Sequence, residues 1–229
     1  INTTNDVVKT KEELSISNGT VTISKLGSLT ATTKVIVTVS VAATTNYKAC
    51  SATYTLTVNK ATMGYTVAKY EGTYNGSAHY ATAKMTTPTT ATLSYGTSAS
   101  NYAYSLSLTT SAKNLSSMGR TNAGTTTIYY KIEAANYETV TGTTTVKINQ
   151  ASCTVTLSAT SGTITYGTTS KTFTVSGSHG GTLSVKETTS TAAEVAISGS
   201  TVTISNTGSL TTGTKVTVRV TSAQTDTHN

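Results

Sequence analysis

The sequence predicts an all-β protein made of several antiparallel sandwich domains, with no substantial helix. About a quarter of the residues are Thr, a β-branched residue that favours strands. Short apolar stretches alternate with polar residues at the two-residue period of a strand, and no stretch has the period of an amphipathic helix. The chain also repeats itself over a long stretch, which is typical of an array of related domains.

Residues Leu14 to Val39 and Val195 to Val220 are two copies of one sequence. They align without a gap at an offset of 181 residues (202 − 21), and 16 of the 26 aligned pairs are identical. A match of this length indicates that the chain is a window of a tandem array. We therefore expect its function to concern an array rather than a single site.

Residues 1–59 are predicted to form the C-terminal part of a first domain type. The dipeptide Asn18-Gly19 lies between apolar residues and predicts a hairpin with a type I′ turn, which needs two residues that tolerate positive φ. Alternation from Val35 to Val41 predicts the next strand. Alternation from Tyr54 to Val58 predicts the strand that ends this domain.

Residues 60–150 are predicted to be a complete domain of a second, related type. Its end repeats the succession of strand, Asn-Tyr loop, strand and Asn that ends the first segment, at an offset of 90 residues (137 − 47). Alternation from Met63 to Val67 and at Leu93 and Tyr95 predicts strands, whereas the Ser- and Thr-rich residues 101–117 have no assignable register.

Residues 151–229 begin the first domain type again and are predicted to lack its last strand. Apolar residues alternate in pairs and triplets along the whole segment, and a hairpin is expected to turn at Gly199-Ser200. The alternating positions are Cys153, Val155 and Leu157; Ile164 and Tyr166; Phe173 and Val175; Leu183 and Val185; and Val216, Val218 and Val220. Short strands at this spacing predict tandem immunoglobulin-like sandwiches.

Several segments resemble the immunoglobulin-like domain repeats of bacterial surface proteins. The first-type segments are 46–61, 156–185 and 198–218, and the second-type segments are 70–80 and 121–137. Such repeats occur in Gram-positive surface proteins and adhesins, and also in phage tail and decoration proteins. The resemblance implies an extracellular structural stalk or fibre segment of a large adhesin-like protein at the bacterial cell surface.

The cysteines Cys50 and Cys153 are disulfide candidates with partners from a neighbouring repeat or chain. They belong to different predicted domains, which argues against a bond between them. In a complete first-type domain, however, Cys153 would start the first strand and the next copy of Cys50 would precede the last strand, at the same pole. The second domain type has Met63 and Val140 at these positions, so both cysteines are replaced together. A disulfide implies an exported protein; the alternative is two unpaired thiols.

We expect neither an enzyme nor a cofactor or metal site. The three histidines are dispersed, carboxylates are few, and no nucleophile, phosphate-loop or metal-ligand spacing occurs. Some Gram-positive surface domains contain a Lys–Asn isopeptide bond, and the resemblance therefore makes such a bond a candidate here. Such a bond needs a lysine, an asparagine and an acid buried together, and Lys69, Asn149 and Glu133 are the candidate trio.

The expected partners are neighbouring repeats or chains, and host or cell-surface glycans. The net charge is +7, but the basic residues are scattered, so no nucleic-acid partner is expected. No apolar run is long enough for membrane insertion. Tyr129 and Tyr130 are adjacent on a strand, so one faces outward as a candidate glycan contact; this would be a carbohydrate-binding module. The other alternative to a stalk is an extracellular filament, in which strand 49–59 of one chain completes residues 151–229 of the next by strand complementation.

Overall fold

The structure, a computed structural model, describes residues 2–3 and 13–225. These residues form nineteen β-strands and three short 3-10 turns, and no α-helix occurs among them. The turns span Leu26–Ser28, Ser116–Met118 and Thr207–Ser209. The prediction of an all-β chain without substantial helix is therefore confirmed.

The described chain divides into two compact units. The first unit comprises the described residues up to Ala68, together with Ala81–Ser117 and Thr127–Thr144. The second comprises Lys69–Tyr80, Met118–Thr126 and the described residues from Thr145 onward. The domain limits predicted from the sequence, 1–59, 60–150 and 151–229, stay predictions.

The N-terminal part of the first unit contains a hairpin and a three-stranded sheet. Its strands are β1 (Asn2–Thr3), β2 (Glu13–Ser17), β3 (Thr20–Ser24), β4 (Lys34–Val41) and β5 (Cys50–Thr57). Strands β2 and β3 form the predicted hairpin, with φ of 46° at Asn18 and 80° at Gly19, as a type I′ turn requires. The sheet has the order β1-β4-β5, and Val35 and Val37 of β4 are buried.

The middle of the chain has the strand order of an immunoglobulin-like sandwich. Its strands are β6 (Gly64–Ala68), β7 (Tyr70–Thr73), β8 (Thr82–Thr87), β9 (Ala91–Gly96), β10 (Tyr104–Leu108), β11 (Lys113–Asn114), β12 (Gly124–Glu133) and β13 (Val140–Asn149). One sheet has the order β10-β9-β12-β13-β7 and the other has the order β11-β8-β6. Strand β7 pairs with β13 in parallel, whereas β9, β10 and β12 are antiparallel.

Alternation along the strands of the middle segment places apolar residues in its core. In β12, Ile128, Tyr130 and Ile132 are buried while the intervening side chains are partly exposed. Leu93 of β9 and Met85 of β8 are buried as well. Residues 101–117, whose register the sequence leaves open, contain β10 and β11.

The C-terminal part of the second unit contains the second copy of the repeated sequence. Its strands are β14 (Val155–Leu157), β15 (Ser170–Gly177), β16 (Leu183–Glu187), β17 (Glu194–Ser198), β18 (Thr201–Ser205) and β19 (Val218–Ser222). They form a sheet of order β14-β15-β18-β17 and an antiparallel pair of β16 with β19. The hairpin at Gly199-Ser200 is confirmed.

Two predicted features of this segment are wrong. Ile164 and Tyr166 belong to no strand, and their side chains are exposed. Val216 lies outside β19, which begins only at Val218. Both segments alternate in sequence, but a strand also needs a ladder of backbone hydrogen bonds to a neighbour. Among the described residues, Ile164 and Tyr166 belong to no such ladder. Thr217 accepts a hydrogen bond from the Thr188 N–H at 2.8 Å, but its own N–H donates to the Thr189 side chain, so the ladder with β16 begins only at Val218.

Candidate functional site

Asn136 lies in the loop between β12 and β13 and contacts the linker of residues 58–61, which follows β5. Its backbone has a left-handed conformation, with φ of 67°, which asparagine tolerates better than most residues. Its carbonyl oxygen accepts a hydrogen bond from the N–H of Ala61 at 2.9 Å, and its side-chain Oδ1 accepts one from the N–H of Ala31 at 2.8 Å. One residue therefore holds both the linker and a loop that precedes β4.

The same linker is held at both of its ends by backbone hydrogen bonds. The N–H of Glu138 donates to the Ala61 carbonyl at 2.9 Å, next to a parallel bridge between Ala61 and Tyr137. At the other end, the N–H of Thr32 donates to the Val58 carbonyl at 2.7 Å, and the Val58 N–H donates to the Thr33 carbonyl at 2.9 Å. Only residues 59 and 60 lie between the two anchored points.

The next linker is held in a related way inside the second unit. Gln150 Nε2 donates a hydrogen bond to the carbonyl of Thr225 at 2.8 Å, and Gln224 Nε2 donates to Gln150 Oε1 at 2.6 Å. Thr225 aligns with Thr44 of the repeat, at the start of the Asn-Tyr loop. Each linker therefore contacts a loop of the predicted domain that comes next in the chain. In both domains this loop follows the second-last predicted strand.

Sequence reasoning missed Asn136 as a functional residue. The signal was present, because the Asn-Tyr dipeptide recurs at Asn46-Tyr47 and Asn136-Tyr137. Its partner Ala31 lies 105 residues earlier in the chain, so no local pattern points to that contact.

The two tyrosines predicted as candidate glycan contacts differ in exposure. Tyr129 is partly exposed, whereas Tyr130 is 8% exposed. Burial raises the pKa of the Tyr130 hydroxyl, and the neighbouring Tyr65 raises it further. Of the pair, Tyr129 is the more accessible side chain, and glycan contact stays a prediction.

An open, polar cleft lies elsewhere in the first unit. It has a volume of about 480 Å³ and is lined mainly by hydroxyl and charged side chains. The residues include Lys60, Thr92, Ser107, Glu133, Tyr137 and Thr139. No enclosed apolar surface accompanies these groups within the described cleft, so it lacks the character of a small-molecule site.

The members of the isopeptide trio have other ionic or polar neighbours. Lys69 Nζ lies 3.8 Å from Glu71 Oε2, and the Lys69 side chain is 69% exposed. Glu71 accepts a hydrogen bond from Lys147 at 2.7 Å, which lowers the pKa of Glu71, and Asn149 contributes a further hydrogen bond. Glu133 pairs with Lys131 at 2.9 Å. The isopeptide bond stays a prediction without support from these contacts.

Both disulfide candidates are free thiols in this chain. Cys50 is exposed at the start of β5, and Cys153 is partly exposed just before β14, with Ser178 Oγ 4.0 Å from its Sγ. The predicted bond needs a partner from another repeat or chain, so it stays a prediction.

His79 packs against neighbouring side chains of its own unit. His79 stacks on Tyr70 with ring centroids 4.2 Å apart, and its Nε2 lies 2.9 Å from Asn75 Oδ1. The described part of the chain contains no group of three His, Cys, Asp or Glu residues placed to hold a metal ion. It also contains no helix that is long and apolar enough to cross a membrane.

No protein-family model and no curated protein matches the chain. Among solved structures, it is similar to a chimeric titin Z1Z2 functionalized with a KLER exogenous peptide from decorin. That match has 11% identity and a TM-score of 0.27, and covers 70% of this chain and 95% of the other. It is also similar to the human desmocollin-1 ectodomain, with 12% identity and a TM-score of 0.27, over 93% of this chain and 46% of the other. Because both TM-scores are below 0.5, these two structures do not support the fold assignment. The immunoglobulin-like fold is inferred from the strand order of the middle segment.

Proposed function

We propose that the chain is a structural stalk segment of a large bacterial cell-surface, adhesin-like repeat protein. The observation that carries the proposal is the linker at residues 58–61, which is hydrogen-bonded at both ends. A free linker of this length would let successive sandwiches swing, whereas one fixed at Val58 and at Ala61 leaves few rotatable bonds. A stalk needs this property because it must hold a distant tip away from the cell.

The composition supports the same role. Only 11% of the residues are charged, and the outward positions of the strands are largely Thr and Ser. Hydroxyl-rich faces remain hydrated over a wide range of salt concentration, because they depend little on ion pairs that salt screens. The resemblance to Gram-positive repeats supports a location outside the cell. That location predicts that protease added to intact cells of the producing organism digests the protein.

The stalk proposal is tested by loosening the linker at Asn136. Asn136→Ala removes the Oδ1 acceptor of the Ala31 N–H and places a Cβ-bearing residue without a polar side chain at positive φ. We expect a broader distance distribution between spin labels at Thr20 and Ser111, measured by double electron-electron resonance in a Cys50→Ser, Cys153→Ser background.

Asn136→Gly is the matched control, because it retains the left-handed backbone and loses only the side-chain acceptor. It should broaden the distribution less than Asn136→Ala does. Equal widths for the parent chain and both variants would contradict a linker stiffened by Asn136, and a broad distribution in the parent chain would contradict the stalk.

A filament assembled by strand complementation is the second candidate. It is favoured by one observation: within the described residues, β19 pairs with β16 along one edge and with no strand along the other. An unpaired edge is a template for a strand from another chain. A filament predicts fibres by electron microscopy at high protein concentration, whereas an isolated stalk segment predicts monomers.

A further inference from the structure

The turn that follows β7 folds one asparagine side chain back onto its own backbone. Asn75 and Gly76 come shortly after β7, and Gly76 has φ of 79°. The Ser77 N–H donates a hydrogen bond to Asn75 Oδ1 at 2.9 Å, so the side chain closes an Asx turn over Gly76. A side chain folded in this way brings its carbonyl carbon, Cγ, next to the Gly76 nitrogen, which lies between the two bonded groups in the chain.

A second donor reaches the same oxygen. His79 Nε2 lies 2.9 Å from Asn75 Oδ1, and an amide oxygen only accepts hydrogen bonds, so Nε2 carries a proton in this contact. The His79 ring is stacked on Tyr70, with ring centroids 4.2 Å apart. The His79 backbone exchanges two hydrogen bonds with the backbone of Arg120, at 2.9 and 3.0 Å. Asn75 Oδ1 therefore lies between two donors that the surrounding structure holds in place.

The backbone nitrogen beside this carbonyl group is unobstructed. Within the described part of the chain, the Gly76 N–H donates no hydrogen bond. Glycine has no side chain to shield its nitrogen, and a Cβ added at Gly76 would meet no atom within 4 Å. Asn75, Gly76 and Ser77 are all exposed, so water reaches the turn. The turn therefore combines a polarised amide carbonyl with an accessible backbone nitrogen.

We propose that Asn75 is a site of spontaneous deamidation, for which Ser77 and His79 form an oxyanion hole. The Gly76 nitrogen loses its proton to water and attacks Asn75 Cγ, which forms a C–N bond and moves negative charge onto Oδ1. The Ser77 N–H and the His79 Nε2–H stabilise this charge. The side-chain nitrogen then takes a proton from water and leaves as ammonia, and a cyclic succinimide remains. Water opens the ring to aspartate or isoaspartate, so the net change exchanges ammonia for water and needs no other reactant.

The chain contains a matched comparison for this site. Asn18-Gly19 is the same dipeptide and is also exposed, but it forms the tight turn between β2 and β3. Within the described residues, no donor contacts the Asn18 side chain. The two dipeptides therefore share their covalent chemistry and their access to water, and they differ in the donors placed on the side-chain oxygen. We expect Asn75 to react faster than Asn18.

Deamidation would alter a turn that is joined to the end of β13. The Tyr74 N–H donates a hydrogen bond to the carbonyl of Asn149, the last residue of β13, at 2.9 Å. An aspartate in place of Asn75 puts a carboxylate beside His79 and favours the protonated imidazole. An isoaspartate adds a methylene to the backbone and is incompatible with the present Asx turn. This inference goes beyond the stalk proposal and does not rest on it.

The test follows both dipeptides in the full chain during incubation at neutral pH. Peptide mapping by mass spectrometry measures deamidation through the mass increase that replacing NH2 with OH produces. In the folded chain, Asn75 should deamidate at least about fivefold faster than Asn18, the effect expected for hydrogen bonds to a developing charge. In urea the two rates should converge, because both sites are then unfolded. Equal rates in the folded chain, or a difference that persists unchanged in urea, would overturn the proposal.

The contribution of the histidine is tested with His79→Phe. Phenylalanine keeps a ring to stack on Tyr70 and lacks the Nε2–H, and the backbone bonds to Arg120 do not use the side chain. The variant should slow deamidation of Asn75 about threefold to tenfold and leave Asn18 unchanged. His79→Gln, which retains an N–H donor, should react faster at Asn75 than His79→Phe does. An unchanged rate at Asn75 in His79→Phe, or an equal loss at Asn18, would overturn the oxyanion hole.

The structural consequence is tested by hydrogen exchange on the aged chain. Amides at 74–79 should exchange faster in chains that carry isoaspartate at this position than in fresh chains, because the Asx turn is lost. Asn75→Asp is the matched control, since it has the charge of the product and the backbone length of the parent, and its exchange should stay close to that of the parent. Unchanged exchange in the isoaspartate chains would overturn the predicted loss of the turn, and equal acceleration in Asn75→Asp would assign it to charge instead.

Discussion

The hairpins of residues 13–24 and 194–205 share a local structure and differ in burial. Their strands have the same bounds at the offset of 181 residues. Each ends at a residue in the left-handed region, Lys25 with φ of 58° and Asn206 with φ of 56°, and each leads into a 3-10 turn. Because the two hairpins lie in different surroundings, this agreement shows that the local conformation is set by the repeated sequence itself.

Burial follows the neighbours instead. Strand β15 pairs with β18 and places Phe173 opposite Val202, which is fully buried, whereas the counterpart Val21 is partly exposed. Thr207 Oγ1 also donates a hydrogen bond to the Thr168 carbonyl at 2.6 Å. The first copy has Leu26 at the position of Thr207, and its side chain has no hydroxyl to donate. The same strand is thus a core strand in one copy and a half-exposed strand in the other.

The largest effect is expected where this difference in burial is greatest. Val202→Ala removes two buried methyl groups and leaves a cavity, which should cost about 2 kcal/mol or more. Val21→Ala removes the same atoms from a partly hydrated site and should cost about half of that or less. Hydrogen exchange at the amides of each hairpin measures both costs locally. Equal costs would show that the hairpins are equally buried in solution and would contradict the contrast.

The next effect comes from making the first copy resemble the second. Leu56→Asp places a carboxylate opposite the buried Val35 and should detach β5 at a cost of about 2 to 3 kcal/mol. Amides at residues 34–36 should then exchange as fast as those at 215–217. Thr53→Asp on the hydroxyl face is the matched control and should leave that exchange slow. Persistent protection in Leu56→Asp would mean that β4 does not depend on β5.

The two turns differ in type, because Asn18 and Gly19 both have positive φ in the first copy, whereas Gly199 has positive φ and Ser200 does not in the second. Each turn nevertheless contains a glycine at positive φ, so replacing that glycine should be costly in both copies. Gly19 has φ of 80° and Gly199 has φ of 57°, and a Cβ added at either position would meet no atom within 4 Å. Alanine at either position is therefore strained without being crowded, and each change should cost about 1 kcal/mol. Ser200→Ala is the control and should stay within about 0.5 kcal/mol of the parent. Urea titration with segment-resolved exchange measures both glycine effects, and an effect no larger than that of Ser200→Ala would contradict the strain assigned to positive φ.

The distinction between local conformation and burial by neighbouring strands also explains which parts of the fold the sequence predicts. Asn18-Gly19 predicts its hairpin because the turn needs no distant partner, and β12 is predictable because buried Ile128 and Ile132 alternate with polar residues. Residues 104–108 resist assignment because serine and leucine alternate within a Ser- and Thr-rich background that offers little contrast. Ile164 and Tyr166 alternate like a strand, yet pairing depends on a neighbour that sequence periodicity does not identify.

The candidate sites are less predictable than the fold, for a related reason. The trio Lys69, Asn149 and Glu133 rests on residue type. In the structure, Lys69 and Glu133 instead pair with Glu71 and Lys131, each two residues away along the chain. The pairing of Glu71 with Lys147 depends on the register of β7 against β13, which the sequence does not specify. Asn136 has an ordinary sequence context, and its importance comes from contacts with Ala31 and Ala61. A site formed by contacts between distant segments can be identified only from the structure. The repeated Asn-Tyr loop nevertheless shows that a repeat in the sequence can indicate where such a site lies.

The smallest effect concerns a carboxylate in the segment that leads into the second hairpin. Glu187 Oε1 accepts hydrogen bonds from the Thr191 N–H at 2.8 Å, the Thr191 hydroxyl at 2.7 Å and the Thr189 hydroxyl at 2.8 Å. The hydrogen bonds from Thr191, and then that from Thr189, lower the pKa of Glu187. The stabilisation is therefore fully present above the pKa of an unfolded-state glutamate, about 4.3, and is lost as the pH falls through the lower folded-state value.

Removing the charge of Glu187 should therefore lower the stability of the second hairpin and leave the stability of the first hairpin unchanged. In Glu187→Gln, amides at 191–205 should exchange faster than in the parent at about pH 7, where the parent carboxyl is ionised, and those at 13–24 should be unchanged. The variant and the parent should converge as the pH is lowered below the usual glutamate range, because the parent carboxyl is then protonated and accepts the same bonds less strongly. A difference that persists at low pH would assign the effect to side-chain shape rather than to charge.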